Sequence, residues 1–291
     1  MLAGVLSLFS AFFLTGHSLS SQKYFKNQSQ VSPFFISVLS LAPAFVLATA
    51  LIPLLHAQPT TSSLFILFIK GCLYSVAFLL RFYGLKNFGA FLGALLICAQ
   101  PPFVALCSYI LLAEPLNLVE LITLFTATTG LLLLVEKKSQ INSFKVSHIP
   151  LYLILPAILM AIATVLDKKV LITGVSPSDF YILDKCLLLP SFLLTIGLLQ
   201  PKELKLTFSK IRRNLIPYKA MLLLGFFWLT SSALYGFALS LEKTTIVFII
   251  RNLSYPLAAI IGAFWFKEHI TLKRAIGFAL ITLSAVLGVL F

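Results

Sequence analysis

Charge is what this chain has least of, and acidic charge least of all. Its 291 residues hold 9 Asp and Glu against 22 Lys and Arg, and charged residues make up 11% of the chain while 59% are hydrophobic. A soluble domain keeps apolar residues below about half and charges near about a quarter, so a soluble class is excluded. Polar stretches long enough for a separate domain are missing too: the two longest connections run only from Glu136 to His148 and from Gln200 to Tyr218. The four cysteines, Cys72, Cys98, Cys107 and Cys186, lie inside apolar runs with no Cys-x-x-Cys pair, which leaves disulfide and zinc frameworks without support. No Gly-x-Ser-x-Gly, His-Glu-x-x-His or Walker-type glycine loop occurs, and no carboxylates stand at catalytic spacing. The chain is therefore not expected to be an enzyme or to carry a metal or cofactor. Without a nucleotide-binding loop, transport would be secondary rather than ATP-driven.

What is present is a succession of apolar runs, each near the roughly 20 residues that cross about 30 Å of hydrocarbon as a helix. Transmembrane strands would be shorter and alternating. With a mean hydropathy of +1.02, the chain is predicted to be an all-α polytopic membrane protein. Ten transmembrane helices are expected, over 2–20, 32–54, 64–84, 87–111, 117–135, 149–166, 178–199, 217–240, 245–266 and 272–291. The first run lacks a basic leader and a small-residue cleavage pattern, so it reads as a retained helix. The net charge of +13 sits mainly in short connections, where basic residues set topology. Lipid rather than nucleic acid is the expected surroundings.

The helices fall into two related sets of five. Val31-Ser32-Pro33 before the second matches Val175-Ser176-Pro177 before the seventh, and Tyr83-Gly84 matches Tyr235-Gly236. The same spacing separates Pro102 from Pro256 and Glu114 from Glu268. An odd number of helices per set inserts the second copy upside down, and inverted repeats of this kind are characteristic of transporters that alternate between two open states. The domains are thus a first repeat over 1–136, a connection over 137–148 and a second, inverted repeat over 149–291.

Two segments carry a resemblance. Leu111-Leu112-Ala113-Glu114-Pro115-Leu116 leads into the fifth run, and Phe266-Lys267-Glu268-His269-Ile270-Thr271 leads into the tenth. A proline-bearing helix that ends in a Glu-bearing turn before a Gly- and Ala-rich helix resembles the EamA family of the drug/metabolite transporter superfamily. Glu114-Pro115 and Glu268-His269 depart from that family's usual Glu-Arg. The resemblance covers essentially the whole chain. It implies a ten-helix bundle, a cavity lined by the first four helices of each set, and peripheral fifth helices that can mediate a homodimer. It also implies cytoplasmic termini, whereas the loop charges favour the opposite: the odd-numbered connections hold nearly all the basic residues, against Lys168, Lys169 and Lys243 in the even ones.

Arg251 is the leading site candidate. It stands in an apolar span close to Pro256, and a guanidinium there is costly unless it faces a cavity or a partner. It can hold a carboxylate or phosphate with two parallel hydrogen bonds, with Asn252 and Tyr255 beside it; the alternative is an arginine paired to a carboxylate, Asp184 being the natural one. Arg81 is a second anion ligand or a snorkelling interface charge, and Lys70 reads as a membrane-surface anchor. Tyr83, Gln100, Trp228 and Tyr235 suit an amphipathic cavity wall. Asp184, adjoining Lys185, and His17 are candidates for proton coupling.

Together these residues point to a secondary transporter in the inner membrane for a small organic metabolite, an amino acid or related anionic or zwitterionic solute. The resemblance also extends to family carriers that exchange nucleoside-linked metabolites such as S-adenosylmethionine and S-adenosylhomocysteine, and it implies such exchange as the alternative within the class. The rival class is a membrane scaffold or lipid-handling protein, which would need neither a buried arginine nor a repeat.

Overall fold

A chain in hydrocarbon must satisfy its backbone within each segment, and this one does so as helix throughout. The computed structural model describes residues 2–27, 32–56, 59–98, 100–134, 149–212, 218–254, 257, 260, 261 and 271–290. Among these there are eleven α-helices and no strand. They are α1 (Leu2–Asn27), α2 (Pro33–Leu51), α3 (Thr61–Cys98), α4 (Gln100–Leu112), α5 (Leu118–Leu134), α6 (Ile149–Ile172), α7 (Pro177–Leu199), α8 (Pro201–Arg212), α9 (Tyr218–Leu241), α10 (Thr244–Arg251) and α11 (Leu272–Leu290). Among the described residues, 5 helices are long and apolar enough to cross a membrane, in α1, α2, α3, α7 and α9.

The local signals in the sequence work as caps. Ser32 Oγ accepts a hydrogen bond from the Phe35 N–H at 3.2 Å, and Ser176 Oγ accepts one from Asp179 at 3.1 Å. In each case the following proline opens the helix, where its missing N–H would have no partner anyway. Both copies of Val-Ser-Pro therefore begin a helix by the same chemistry. At the start of α5, Asn117 Oδ1 accepts from Glu120 N–H at 2.7 Å while Glu120 Oε2 accepts from Asn117 N–H at 2.8 Å. This reciprocal pair satisfies two N–H groups that the helix cannot. Glu114, in the turn after α4, reaches across to the beginning of α10, where it accepts from Thr244 N–H at 3.2 Å and from Thr244 Oγ1 at 3.3 Å. A carboxylate suits the positive end of a helix.

Several boundaries differ from expectation. The third helix does not stop near residue 84 but continues to Cys98, and α4 begins at Gln100. Residues 61–98 contain no proline, whereas Pro101 and Pro102 stand at the head of α4, where proline is tolerated. The connection after α7 is a helix, α8, in which lysines alternate with apolar residues such as Leu204. The expected ninth helix is interrupted directly after Arg251, with Asn252 and Leu253 in a turn. Pro256 has no N–H to offer the Asn252 carbonyl four residues back, so the sequence removes the hydrogen bond that would carry the helix through. The sixth helix runs past residue 166 to Ile172 and takes Asp167 with it.

Helices α1 and α9 pack together, as do α3 and α6, α2 and α7, and α5 and α11. Secondary pairings follow suit: α3 with α7 and α2 with α9, α4 with α6 and α1 with α10. Exchanging the five expected spans of the first set for those of the second maps this list onto itself. The central core joins α2, α3, α7 and α9, with Phe34 stacked on Phe192 at 5.5 Å and Phe78 against Trp228 at 5.3 Å. Between α1 and α9, Ser10 Oγ donates to Ser231 O at 2.8 Å and Ser231 Oγ returns a bond to Ser10 O at 2.9 Å. Small hydroxyls of this kind let membrane helices approach closely. The α5–α11 contact is tighter still: a Cβ on Gly130 would lie 2.8 Å from the Gly277 carbonyl oxygen and 2.9 Å from Ile281 Cγ1. Gly130→Val should therefore force these helices apart and cost about 1–3 kcal/mol, read as a lower midpoint of thermal unfolding in detergent; an unchanged midpoint would contradict this packing.

Candidate functional site

The break after Arg251 lies at the middle of the bundle, beside two adjoining spaces. The first is lined from α1, α3, α4, α6, α9 and α10 by residues that include Arg81, Gln100, Asp167, Trp228, Arg251 and Asn252. The second is lined from α3, α6, α7, α9 and α10 and includes Lys70, Tyr181, Asp184, Lys185 and Ser232. Tyr74, Asp167, Trp228, Tyr235 and Arg251 line both. The two spaces share these residues and are lobes of one cavity walled by both sets of helices.

The guanidinium carbon of Arg251 lies 4.1 Å from the centre of the Tyr235 ring. That cation–π contact orients the side chain without neutralising it. Arg251 Nε and Asn252 Nδ2 are buried and bind no protein acceptor, an expensive arrangement unless something else in the cavity takes those hydrogen bonds. Arg81 is buried and donates through Nη2 to Ser18 Oγ at 3.1 Å. It is not a snorkelling charge. Among the described residues neither arginine has a carboxylate at ion-pair distance.

The acids are committed elsewhere. Lys70, only 4% exposed, is no surface anchor: its Nζ lies 2.9 Å from Asp167 Oδ1 and donates to Asp184 Oδ1. Asp184 Oδ2 accepts from Lys185 Nζ at 2.6 Å. Asp184 is thus not the partner of Arg251, and Lys185 does not reach for the interface; its ammonium lies 5.6 Å from the Trp228 ring centre. Two acids and two lysines from α3, α6 and α7 make a buried group with no net charge. Arg81 and Arg251 are then left to give the cavity its positive sign.

Of the other expected site residues, Gln100 donates from Nε2 to Met160 Sδ at 2.9 Å and presents its carbonyl side to the first lobe. Tyr83 lies outside the lobes, with its hydroxyl donating to Gln200 Oε1 at 3.4 Å. His17 is buried, pairs through Nε2 with Ser40 Oγ at 3.1 Å and packs 5.5 Å from Trp228, so it sits behind the wall rather than in it. Tyr255 lies outside the described residues. Sequence reasoning missed Asp167, because Asp167-Lys168-Lys169 reads as a charged turn at the membrane surface. Helix α6 continues through it, Asp167 turns inward, and Lys168 Nζ donates to the Leu239 and Glu242 carbonyls at 2.7 and 2.9 Å, closing the end of α9.

Lys70→Met would leave Asp167 buried without a cation, and breaking a buried ion pair on one side costs about 3–5 kcal/mol. The expected result is a large loss of folded protein in detergent, eased when Asp167→Leu is combined with it; equal losses in the single and double variants would show that the pair is not coupled.

Similarity to known proteins agrees with this architecture. A crystal structure 16% identical in sequence superposes with a TM-score of 0.63 over 99% of this chain and 97% of its own, so the whole arrangement of helices recurs in a solved fold. No curated protein matches the chain. Residues 2–136 match the EamA-like transporter family. Those residues carry α1 to α5 and the Glu114 turn, so the first set of helices is similar to a family of membrane transporters.

Proposed function

We propose that the two-lobed cavity binds a small anionic or zwitterionic metabolite, an amino acid or a related solute, and carries it across the inner membrane by alternating access. The observation behind this reading is the charge balance. Lys70, Lys185, Asp167 and Asp184 cancel, and Arg81 and Arg251 remain without acids. A cationic drug would meet two guanidinium groups and no free carboxylate, whereas a carboxylate or phosphate would meet Arg251 Nε and Asn252 Nδ2, both lacking acceptors. The helix break at Arg251 adds backbone groups to the same place, as in transporters whose interrupted helices hold substrate.

The exchange symmetry of the helix pairings supports two interchangeable five-helix repeats, which give inward-open and outward-open states of similar energy. A second reading, a nucleoside-linked solute, is favoured by the aromatic walls. Tyr74, Trp228 and Tyr235 line both lobes, and flat rings can stack a base.

Uptake of labelled glutamate, phenylalanine and S-adenosylmethionine into proteoliposomes separates these readings. Arg251→Ala should lower uptake of the carried solute at least about tenfold, the loss of about one charge-assisted hydrogen bond. Arg251→Lys should recover little of it, since an ammonium lacks the planar fork. Undiminished uptake in both variants would remove Arg251 from the site.

A further inference from the structure

We propose that Asp167 is a proton-binding carboxyl of the cavity, and that a proton on Asp167 and an anion at Arg251 travel together. The coupling rests on the transporter reading above; the proton site does not. Of the two buried acids, Asp184 has both oxygens engaged, Oδ1 by Lys70 and Oδ2 by Lys185. Asp167 has one ion-pair partner among the described residues, Lys70, which it shares with Asp184. Protonating Asp184 would strand Lys185 in the interior without a carboxylate. Protonating Asp167 strands no cation, because Lys70 keeps Asp184.

Position points the same way: Asp167 lines both lobes, whereas Asp184 lines only the second. The charged and titratable groups around it come from four helices: Lys70 and Arg81 on α3, Tyr181, Asp184 and Lys185 on α7, Tyr235 on α9 and Arg251 on α10. Helix α4 offers the first lobe the uncharged Gln100. A proton taken from water by an Asp167 oxygen converts the neutral group of four into one with a single positive charge. That charge adds to those of Arg81 and Arg251, so a bound anion is held more firmly. By reciprocity, the bound anion favours the proton. The charge arithmetic therefore sets the sense of coupling as proton and anion in the same direction.

The proton site is tested without any substrate. Infrared difference spectra of the full chain in lipid vesicles, taken between about pH 8 and about pH 5, should show a carboxylic-acid carbonyl band that grows on acidification and shifts in D2O. The band should be absent from Asp167→Asn. Should that variant fail to fold, Asp167→Glu keeps the carboxyl on a longer stem and should move the band to a new frequency. Absence of the band from the wild type, or its persistence unaltered in these variants, overturns the assignment. For the coupling, acid outside the vesicles should accelerate uptake of whichever of the three labelled solutes the wild type carries, and not in Asp167→Asn. Acceleration that survives in Asp167→Asn overturns the coupling role. Uptake of none of the three counts against the transporter reading, and the infrared result then decides the proton site by itself.

Discussion

The architecture depends on one lysine ammonium held between two carboxylates in the middle of a membrane bundle. Lys70 extends from α3, and its partners Asp167 and Asp184 come from α6 and α7, so a single cation ties the first set of helices to two helices of the second. None of the three charges would be tolerable alone in a low-dielectric interior. Held together with Lys185, they cost far less, and they constrain which faces of α3, α6 and α7 can meet. The aromatic core of Phe34, Phe78, Phe192 and Trp228 meets this group at Trp228, whose ring centre lies 5.6 Å from Lys185 Nζ.

Neutrality within that group leaves Arg81 and Arg251 as the cations without an acid among the described residues that line the cavity. Because the lysines occupy both acids, the guanidinium of Arg251 is left to lean on the Tyr235 ring, a contact that fixes its direction but leaves its charge and Nε available. The helix break at Asn252 follows from the same stretch of chain. The turn keeps bonds of its own beside the arginine: Asn252 N–H donates to Phe248 O at 3.0 Å and Leu253 N–H to Ile250 O at 3.1 Å.

A transporter must pass between two states of similar energy, and the pairing of helices makes this physically plausible. Each major contact of a first-set helix with a second-set helix has its counterpart when the sets are exchanged. The Ser32 and Ser176 caps are local instances of the same correspondence, and so are the helix pairs α1–α9 and α3–α6. The α5–α11 pair is closed by the near contact at Gly130, and none of its described residues lines the cavity. Rearrangement of the inner eight spans around the Lys70 group is compatible with a fixed outer pair.

The amino-acid sequence by itself determined the helical membrane class and the capped starts of α2, α5 and α7, though not the start of α4 at Gln100 or the helix α8. Those follow from nearest-neighbour chemistry: apolar length against bilayer thickness, Ser-Pro and Asn-x-x-Glu as caps, Pro256 as a break. It also made Arg251 conspicuous, because a cation in an apolar run next to a proline is rare whatever surrounds it. The sequence could not assign partners. Lys70 near one end of its run looked like a surface anchor, Asp167 beside two lysines looked like a turn, and Asp184 looked available to Arg251. Each of those readings used distance along the chain, whereas the energy of a buried charge is set by what lies within a few ångströms across helices. Only the tertiary structure brings residues 70, 167 and 184 to one point, and so decides which charges cancel and which remain for a ligand.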